Sequence, residues 1–244
     1  MFYFDEINGQ KILRSDILDK NMGVDVFFTT RQSSAPSQIS DIQAKLSYRD
    51  FTLPLGEGFA SRIIRPEQTH SDHVEIVDER IEYPDTDGLI ITEPDTAICL
   101  KFADCTPLVF YDPVHKIGAI SHAGWRGTAS RIGVKTVAKM ALNFSSDPKD
   151  IIAIIGPAIS ICCYEVSEEV KEALLSTVKD TLGLYDNRNV DLKKINARQL
   201  KEIGVKKIDI CPYCTSCNND LFYSYRKENG TKERHFAILK LENT

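Results

Sequence analysis

The chain has 244 residues, of which 42% are hydrophobic and 27% are charged, a balance typical of a folded globular protein that excludes wholesale disorder. Thirty basic residues stand against 35 acidic ones, which gives a net charge of −5 at neutral pH. Because this balance leaves no overall cationic surface to hold a nucleic-acid backbone, we expect no nucleic-acid partner.

The first residues of the chain, Met1 to Glu6, carry acids where a secretory signal would carry a basic segment and then a long apolar one. No apolar run further along approaches the length that spans a bilayer. Seven cysteines without a signal peptide are typical of a reducing compartment, where thiols serve chemistry, metal binding or packing. We therefore expect a cytoplasmic protein with no membrane partner.

The first half of the chain is dense in predicted strands. Short runs of apolar or alternating residues follow one another there, bounded by Pro, Asp or Gly. One loop-like segment, at 31–37, precedes a predicted helix at 38–48. The predicted strands cover residues 24–30, 73–77, 88–92, 97–102, 107–111 and 117–121.

Helices are grouped in the second half of the chain. A helix predicted at 128–142 places small and apolar residues at three- and four-residue spacings on one face. Ser167, followed by two acids, is a good N-cap for another helix. The remaining predictions are a strand at 150–155, helices at 167–178 and 193–203, and strands at 206–210 and 235–241.

The order of these elements predicts the fold class. Strands and helices do not alternate regularly, which favours an α+β fold of mixed β-sheets sandwiched with helices over a doubly wound parallel fold. No linker rich in Pro, Gly or Ser divides the chain, so we expect a single domain over 1–244. No GxGxxG or GxxxxGK[ST] string is present, which removes the usual nucleotide-cradling loops.

Three short segments at the ends of predicted strands carry the residues best suited to chemistry: QTH at 68–70, ADC at 103–105 and HAGWRGT at 122–128. Two imidazoles and one thiolate are a sensible zinc set, and three protein ligands leave a fourth position for water or substrate. We predict that His70, Cys105 and His122 are both the metal ligands and the catalytic residues. The alternative is a small buried cysteine beside ordinary loop histidines.

The turn after His122 also suits an anion. Its small residues let the backbone bend, Thr128 is predicted to cap the helix that follows, and the free N–H groups of a helix N-terminus attract phosphate. Arg126 lies in the same turn and can offer a bidentate guanidinium. A plain strand-to-helix connection with a surface arginine is the alternative interpretation.

A third pattern consists of cysteines near the C-terminus. Cys211, Cys214 and Cys217 stand at i, i+3 and i+6, a spacing found in iron–sulfur and structural zinc sites. A metal-binding protein without enzymatic activity is therefore an alternative, with a fourth thiolate drawn from Cys99, Cys162 or Cys163. We favour the interpretation that these cysteines are packing thiols.

Five strings of the chain resemble the laccase-domain family, whose members were first called multicopper polyphenol oxidoreductases and later recognised as purine nucleoside phosphorylases. The resemblance implies an α+β sandwich of mixed sheets and zinc bound by His70, Cys105 and His122. It also implies phosphorolysis of adenosine, inosine and methylthioadenosine, together with adenosine deamination. The strings are QTH, ADC and HAGWRGT as above, GPAISICCYEV at 156–166 and CTSCNNDLFYSYR at 214–226.

Purine nucleosides and phosphate are thus the expected partners. We assign phosphate binding to Arg126 and Arg226, whose guanidinium groups suit the anion. Adenosine deamination also needs an acid that shuttles protons, and three carboxylates remain open for that role. The full substrate-binding assignment is Gln68, Arg126, Arg226 and Arg31, and the three acids are Asp87, Asp104 and Glu165.

Two rival enzyme classes are weighed against this prediction. A multicopper oxidase needs a trinuclear cluster with several more histidines than the three left after His70 and His122, so it is excluded. A metal-free cysteine hydrolase or deamidase could use Cys105 as nucleophile and His122 as base. His70 discriminates between zinc enzyme and hydrolase, because only the zinc site needs it.

Overall fold

The computed structural model describes residues 1–18, 21–32 and 59–243. The predicted helix at 38–48 and residues 33–37 of the predicted loop lie outside the described residues. The strands are β1 (Phe2–Ile7), β2 (Gln10–Ser15), β3 (Val24–Thr29), β4 (Arg62–Ile64), β5 (Val74–Ile76), β6 (Gly88–Ile91), β7 (Thr96–Phe102), β8 (Thr106–Asp112), β9 (Ile117–Ala123), β10 (Ile152–Ile155), β11 (Tyr185–Asp186), β12 (Asn189–Val190), β13 (Lys207–Ile210) and β14 (His235–Leu241).

Two six-stranded sheets dominate the described residues. The first has the order β1-β2-β3-β14-β7-β4, and the second has the order β13-β10-β8-β9-β6-β5. Each sheet combines antiparallel pairs with parallel ones, namely β4 with β7 in the first and β5 with β6 and β10 with β13 in the second. The prediction of mixed sheets is therefore confirmed.

The main core lies between the two sheets. Phe28 and Leu239 of the first sheet share one buried cluster with Val109 and Ile120 of the second. The sheets approach so closely that a Cβ atom at Gly118 would lie 2.4 Å from a methyl carbon of Leu239. This tight packing fixes the relative positions of β7, β8 and β9, whose ends carry candidate site residues.

Helices cover the other face of the second sheet. Ile132 and Met140 from one helix and Leu200 from another join a second buried cluster with Leu108 and Phe110 of β8. Mixed sheets with helices packed on them confirm the predicted α+β class. The helices within the described residues are α1 (Trp125–Ala129), α2 (Ile132–Phe144), α3 (Glu168–Leu175) and α4 (Leu192–Glu202).

The helix predicted at 128–142 is in fact two helices. Arg131 adopts a left-handed conformation with φ of 57° and separates α1 from α2. The prediction that Thr128 caps the helix is wrong, because α1 begins at Trp125 after Gly124, and Thr128 lies buried inside it. Its hydroxyl instead accepts a hydrogen bond from Asn196 of α4 at 2.9 Å, which ties the two helices together.

The remaining predictions vary in outcome. The predicted strand at 235–241 matches β14, and Ser167 caps α3, where its hydroxyl accepts a hydrogen bond from the backbone N–H of Val170 at 3.3 Å. The predictions do not include strands β1, β2, β4, β11 and β12. The hairpin of β1 and β2 is rich in charged residues and is mostly half-buried, so its apolar alternation is weak. Across the described ranges, no helix is long and apolar enough to cross a membrane.

Candidate metal centre

Three predicted ligands meet where β7 and β9 end and β8 begins. His122 lies on β9 opposite Pro107 of β8, and Cys105 precedes β8 directly, so the strand register carries Cys105 to the end of β9. His70 comes from the loop between β4 and β5. One ligand atom each of His70, Cys105 and His122 can be chosen so that all three lie within 4.8 Å of one another.

His122 is buried, and Asp87 orients its ring. Gly88 of β6 pairs with Ser121 of β9, so the register brings Asp87 beside His122. The Nδ1 atom of His122 lies 2.7 Å from Oδ1 of Asp87. A carboxylate on one ring nitrogen fixes the tautomer and leaves the other, Nε2, free to bind a metal, as metal-binding histidines require.

The second carboxylate oxygen of Asp87 holds the loop that carries His70. It accepts hydrogen bonds from the backbone N–H and hydroxyl of Ser71, at 2.7 and 2.9 Å, and from the backbone N–H of Thr69 at 3.0 Å. His70 itself adopts a left-handed backbone conformation with φ of 65°, which the bonds on both sides of it stabilise. A single buried carboxylate therefore positions two of the three ligands.

Charges at the site support a thiolate at Cys105. Burial acts to raise the pKa of Cys105, but the positive charge of His122 and its hydrogen bond outweigh burial and lower that pKa to about 6. Burial acts to lower the pKa of His122, and the negative charge of Cys105 and the hydrogen bond to Asp87 raise it to about 9. The thiolate is the form of cysteine that binds metals.

Burial likewise acts to raise the pKa of the Asp87 carboxyl, but its hydrogen bond with His122 and the charge of that ring lower it to about 2. The carboxylate is therefore ionised whenever it faces His122 at neutral pH. The negative charge of Asp87 stabilises both the protonated ring of His122 and any cation bound on the far side of that ring.

Gly124 leaves room for the ligands to meet. A Cβ atom at this position would lie 3.0 Å from Sγ of Cys105 and 3.3 Å from Cδ2 of His70. The HAGWRGT string therefore requires a glycine here for a steric reason. Two nitrogens and one sulfur within 4.8 Å of one another fit the donor set of zinc, which in catalytic sites takes its fourth ligand from water or substrate.

The other three histidines lie elsewhere. His73 pairs with Asp85, His115 pairs with Asp112, and His235 is buried against the rings of Phe102 and Phe222. None of the three belongs to a metal-ligand group among the described residues. The donor set of a trinuclear copper cluster is accordingly missing from that part of the chain, which contains all five histidines.

Gln68 and Arg31, assigned above to substrate binding, make hydrogen bonds to protein groups. The side-chain amide of Gln68 accepts from the backbone N–H of Lys101 at 2.9 Å and donates to its carbonyl at 3.0 Å, so it ties the His70 loop to β7. Arg31 donates to the carbonyl of Asn219 and to Glu228, and its guanidinium lies over the ring of Tyr223.

Arg126 and Arg226 are both exposed. The guanidinium of Arg126 lies 4.4 Å from the ring of Trp125, and that of Arg226 lies 5.3 Å from the ring of Tyr164. Burial raises the pKa of Tyr164, and so does the negative charge of Cys105, whereas the two arginines act in the opposite direction. Tyr164 is thus in electrostatic range of both the thiolate and the two cations.

Sequence reasoning did not single out Tyr164, although it lies within the GPAISICCYEV string.

The three carboxylates proposed as proton shuttles are all engaged by protein groups. Asp87 holds His122, as above, and Asp104 accepts hydrogen bonds from the hydroxyl of Thr215 at 2.6 Å and the backbone N–H of Arg226 at 2.7 Å. Glu165 is exposed and pairs with Arg188.

Comparison with known proteins identifies relatives over most of the chain. Residues 48–242 match the family model described as multi-copper polyphenol oxidoreductase laccase. The chain is 34% identical over 194 residues to the purine nucleoside phosphorylase YlmD of Bacillus subtilis, which covers 72% of this chain and 69% of that protein. It is 29% identical over 251 residues to a purine nucleoside phosphorylase of Bacteroides thetaiotaomicron, which covers 89% of this chain and 92% of that protein.

The fold gives the same result. The crystal structure of YlmD from Geobacillus stearothermophilus matches with a TM-score of 0.84 and 28% sequence identity, over 98% of this chain and 99% of that one. That of the Bacillus licheniformis hypothetical protein YfiH matches with a TM-score of 0.79 and 27% identity, over 98% of this chain and 99% of that one. Sequence and fold therefore lead to the same group of proteins.

Proposed function

The chain belongs to the multi-copper polyphenol oxidoreductase laccase family, and from that premise we propose that it is a zinc-dependent purine nucleoside phosphorylase. Its substrates are adenosine, inosine and S-methyl-5′-thioadenosine, cleaved with phosphate to the free base and ribose 1-phosphate or its methylthio analogue. Adenosine deamination accompanies this activity. The names of the relatives support the proposal, and the convergence of His70, Cys105 and His122 is the observation that carries it.

These three residues would hold a Zn²⁺ ion, which would supply Lewis-acid chemistry to the substrate. The protein's own contribution is to keep the ligands in the right state. Asp87 holds the ring of His122 so that Nε2 faces the other ligands, and it anchors the His70 loop. The positive charge of His122 and its hydrogen bond outweigh burial and keep Cys105 as a thiolate rather than a thiol.

Phosphorolysis forms a bond from a phosphate oxygen to C1′ of the sugar and breaks the bond from C1′ to the purine nitrogen, whose electron pair leaves with the base. The phosphate needs a cationic site, and the exposed guanidinium groups of Arg126 and Arg226 suit it. Tyr164 has its phenolic proton at neutral pH, as any tyrosine does, and burial and the Cys105 charge raise its pKa further, so it can donate a hydrogen bond to a substrate oxygen.

Deamination places a water oxygen on the purine carbon that carries the amine and releases ammonia. The acid that moves the protons has to be free to do so. Asp104 is held by Thr215 and by the backbone N–H of Arg226, and Asp87 is held by His122, so both are positioning residues in this proposal.

The test is incubation of the purified chain with inosine, with and without phosphate, alongside measurement of zinc and copper on the same sample. We expect hypoxanthine and ribose 1-phosphate in equal amounts, dependence on phosphate, and zinc as the bound metal. Hypoxanthine formed at the same rate without phosphate would show hydrolysis and contradict the proposal.

One observation favours the second candidate, a metal-free cysteine hydrolase or deamidase. The pKa of Cys105 is lowered to about 6 and that of His122 is raised to about 9, shifts that favour a thiolate beside an imidazolium, the state of an activated cysteine nucleophile. His70→Ala separates the two candidates, because zinc binding and turnover both need the third ligand. Full activity in that variant would favour the hydrolase.

A further inference from the structure

A second group of metal-ligating side chains lies outside the candidate metal centre. The sulfur atoms of Cys162, Cys163, Cys214 and Cys217 all lie within 4.8 Å of one another. The sulfur of Cys217 is 3.5 Å from that of Cys162 and 3.4 Å from that of Cys163. Cys211, which begins the C-terminal cysteine pattern, is not a member and lies buried in the core between the sheets.

Backbone contacts bring the two halves of this cluster together. Residues 160–164 form a turn in which the N–H groups of Cys163 and Tyr164 both donate to the carbonyl of Ser160. Ala158, just before this turn, forms a parallel bridge with Cys214, and the N–H of Thr215 donates to the Ala158 carbonyl at 3.1 Å. The two turns are thus adjacent for reasons that do not involve the sulfur atoms.

We propose that Cys162, Cys163, Cys214 and Cys217 bind one Zn²⁺ ion in a closed tetrahedral site. With zinc–sulfur bonds of about 2.3 Å, a regular tetrahedron separates its sulfur atoms by about 3.8 Å. Two of the separations, 3.4 and 3.5 Å, and the upper bound of 4.8 Å on all of them bracket that value. A multi-iron cluster spreads its cysteines over different iron atoms and so holds their sulfurs further apart.

Exposure separates three of these four thiols from packing cysteines. Cys162 and Cys217 are exposed and Cys163 is half-buried, whereas Cys214 and Cys211 are buried. The prediction that the C-terminal cysteines are packing thiols is therefore wrong for Cys217, because an exposed side chain fills no core space. Four protein ligands leave no open position, which is the arrangement of structural zinc sites.

The surroundings offset the charge of such a site. Four thiolates around Zn²⁺ carry a net charge of −2, and each cysteine loses its thiol proton to solvent when it binds. The backbone N–H of Ser160 donates to the sulfur of Cys214 at 3.4 Å. The buried ammonium of Lys193 donates to the carbonyls of Cys211 and Tyr213, and its charge interacts with the sulfurs of Cys214 and Cys162.

The proposed ion would fasten together two segments that adjoin the first metal centre. Thr215 follows Cys214 and holds the carboxylate of Asp104, next to Cys105. The N–H of Ile159 donates to the Asp104 carbonyl at 3.0 Å, and Tyr164 follows Cys163 directly. We infer a structural role for the ion, which maintains the wall of the site that carries Tyr164.

The experiment measures metal on the full chain, purified anaerobically with a thiol reductant, by mass spectrometry of the elements. We expect two Zn²⁺ ions per chain, one for each ligand group. Cys217→Ser and His70→Ala should each retain one ion, and the double variant none. Cys211→Ala is the matched control, because it removes a cysteine of the same sequence pattern that lies outside the cluster, and it should keep both ions.

His70→Ala also makes the proposal independent of the proposed function, since X-ray absorption then reports only the second site. We expect four sulfur neighbours at about 2.3 Å from zinc in that variant. Unchanged zinc content in a folded Cys217→Ser variant would overturn the proposal. A reduced His70→Ala variant that contains no zinc and four free cluster thiols would also overturn the proposal. A disulfide within the cluster in place of the ion would do the same.

Discussion

The two ligand clusters of this chain gather side chains from distant segments, but they are built differently. The candidate metal centre has three ligands, a buried carboxylate behind His122 and a glycine that leaves space beside the sulfur. In the four-cysteine cluster two thiols are exposed, two backbone turns hold the ligands, and no carboxylate from the described residues belongs to the ligand group.

This difference indicates a catalytic role for the three-ligand centre and a structural role for the four-cysteine cluster. A centre with three ligands and an orienting carboxylate can offer one position to a substrate, and its ligand states depend on buried charges. A four-sulfur site has no position to offer, and its binding energy adds to the stability of the fold. Substitutions at the first cluster should therefore lower turnover, with a loss of stability as well where a buried charge is left unpaired, and those at the second should change stability alone.

The largest effect is expected from His122→Ala. This change removes a metal ligand and leaves the Asp87 carboxylate buried without its cationic partner, so phosphorolysis should fall to background. The free energy of unfolding should fall by about 3 kcal/mol, as when one member of a buried ion pair is removed. Turnover with inosine and urea unfolding check both effects, and retained phosphorolysis would remove His122 from the active centre.

Asp87→Asn should act through His122 rather than on substrate. The neutral amide orients the ring less well, so metal affinity should fall about 10- to 100-fold, measured by competition with a chelator. Asp112→Asn is the matched control, because Asp112 is also a buried carboxylate 2.8 Å from a histidine Nδ1, but its partner His115 is no ligand. Equal losses of affinity in the two variants would contradict the assigned role.

Acid should destabilise the fold through His235, which belongs to neither cluster. Burial lowers the pKa of His235 to about 3 in the folded chain, against 6.5 for an exposed histidine. Between those values the unfolded chain binds the extra proton, so stability is lost as the pH falls. His235 should contribute about 2 kcal/mol of loss between pH 6.5 and 5.

Urea unfolding at several pH values measures this loss. His235→Phe keeps an aromatic ring against Phe102 and Phe222 and should remove its contribution to the slope. An unchanged slope in that variant would assign acid sensitivity to other groups.

The smallest effect is expected from Cys217→Ser. An exposed substitution ordinarily changes stability by no more than about 0.5 kcal/mol, so a loss on the order of 1 kcal/mol or more would report the missing ion. Thermal unfolding with and without a chelator measures it, and the chelator should shift the unchanged chain more than the variant. Equal sensitivity to the chelator would remove the structural distinction between the clusters.

Local patterns were enough to predict many elements of the fold. Apolar runs bounded by Pro, Asp and Gly predicted β6 to β9, and β14 matches its predicted bounds. The charged hairpin of β1 and β2 is not predicted from the sequence, because most of its residues are only half-buried and the apolar periodicity is therefore weak. The break between α1 and α2 at Arg131 is also not predicted, because the helical spacing of apolar residues continues across it.

The amino-acid sequence by itself determined the donor types, the mixed-sheet class and the glycine beside the candidate metal centre, because each depends on residue chemistry or on a short period. Only the tertiary structure decided which donors meet. The pairing of β6 with β9 assigned Asp87 to His122, and the bridge from Ala158 to Cys214 joined two cysteine pairs about fifty residues apart. Strand register determines which distant residues become neighbours. Register depends on long-range packing, which no local sequence pattern contains.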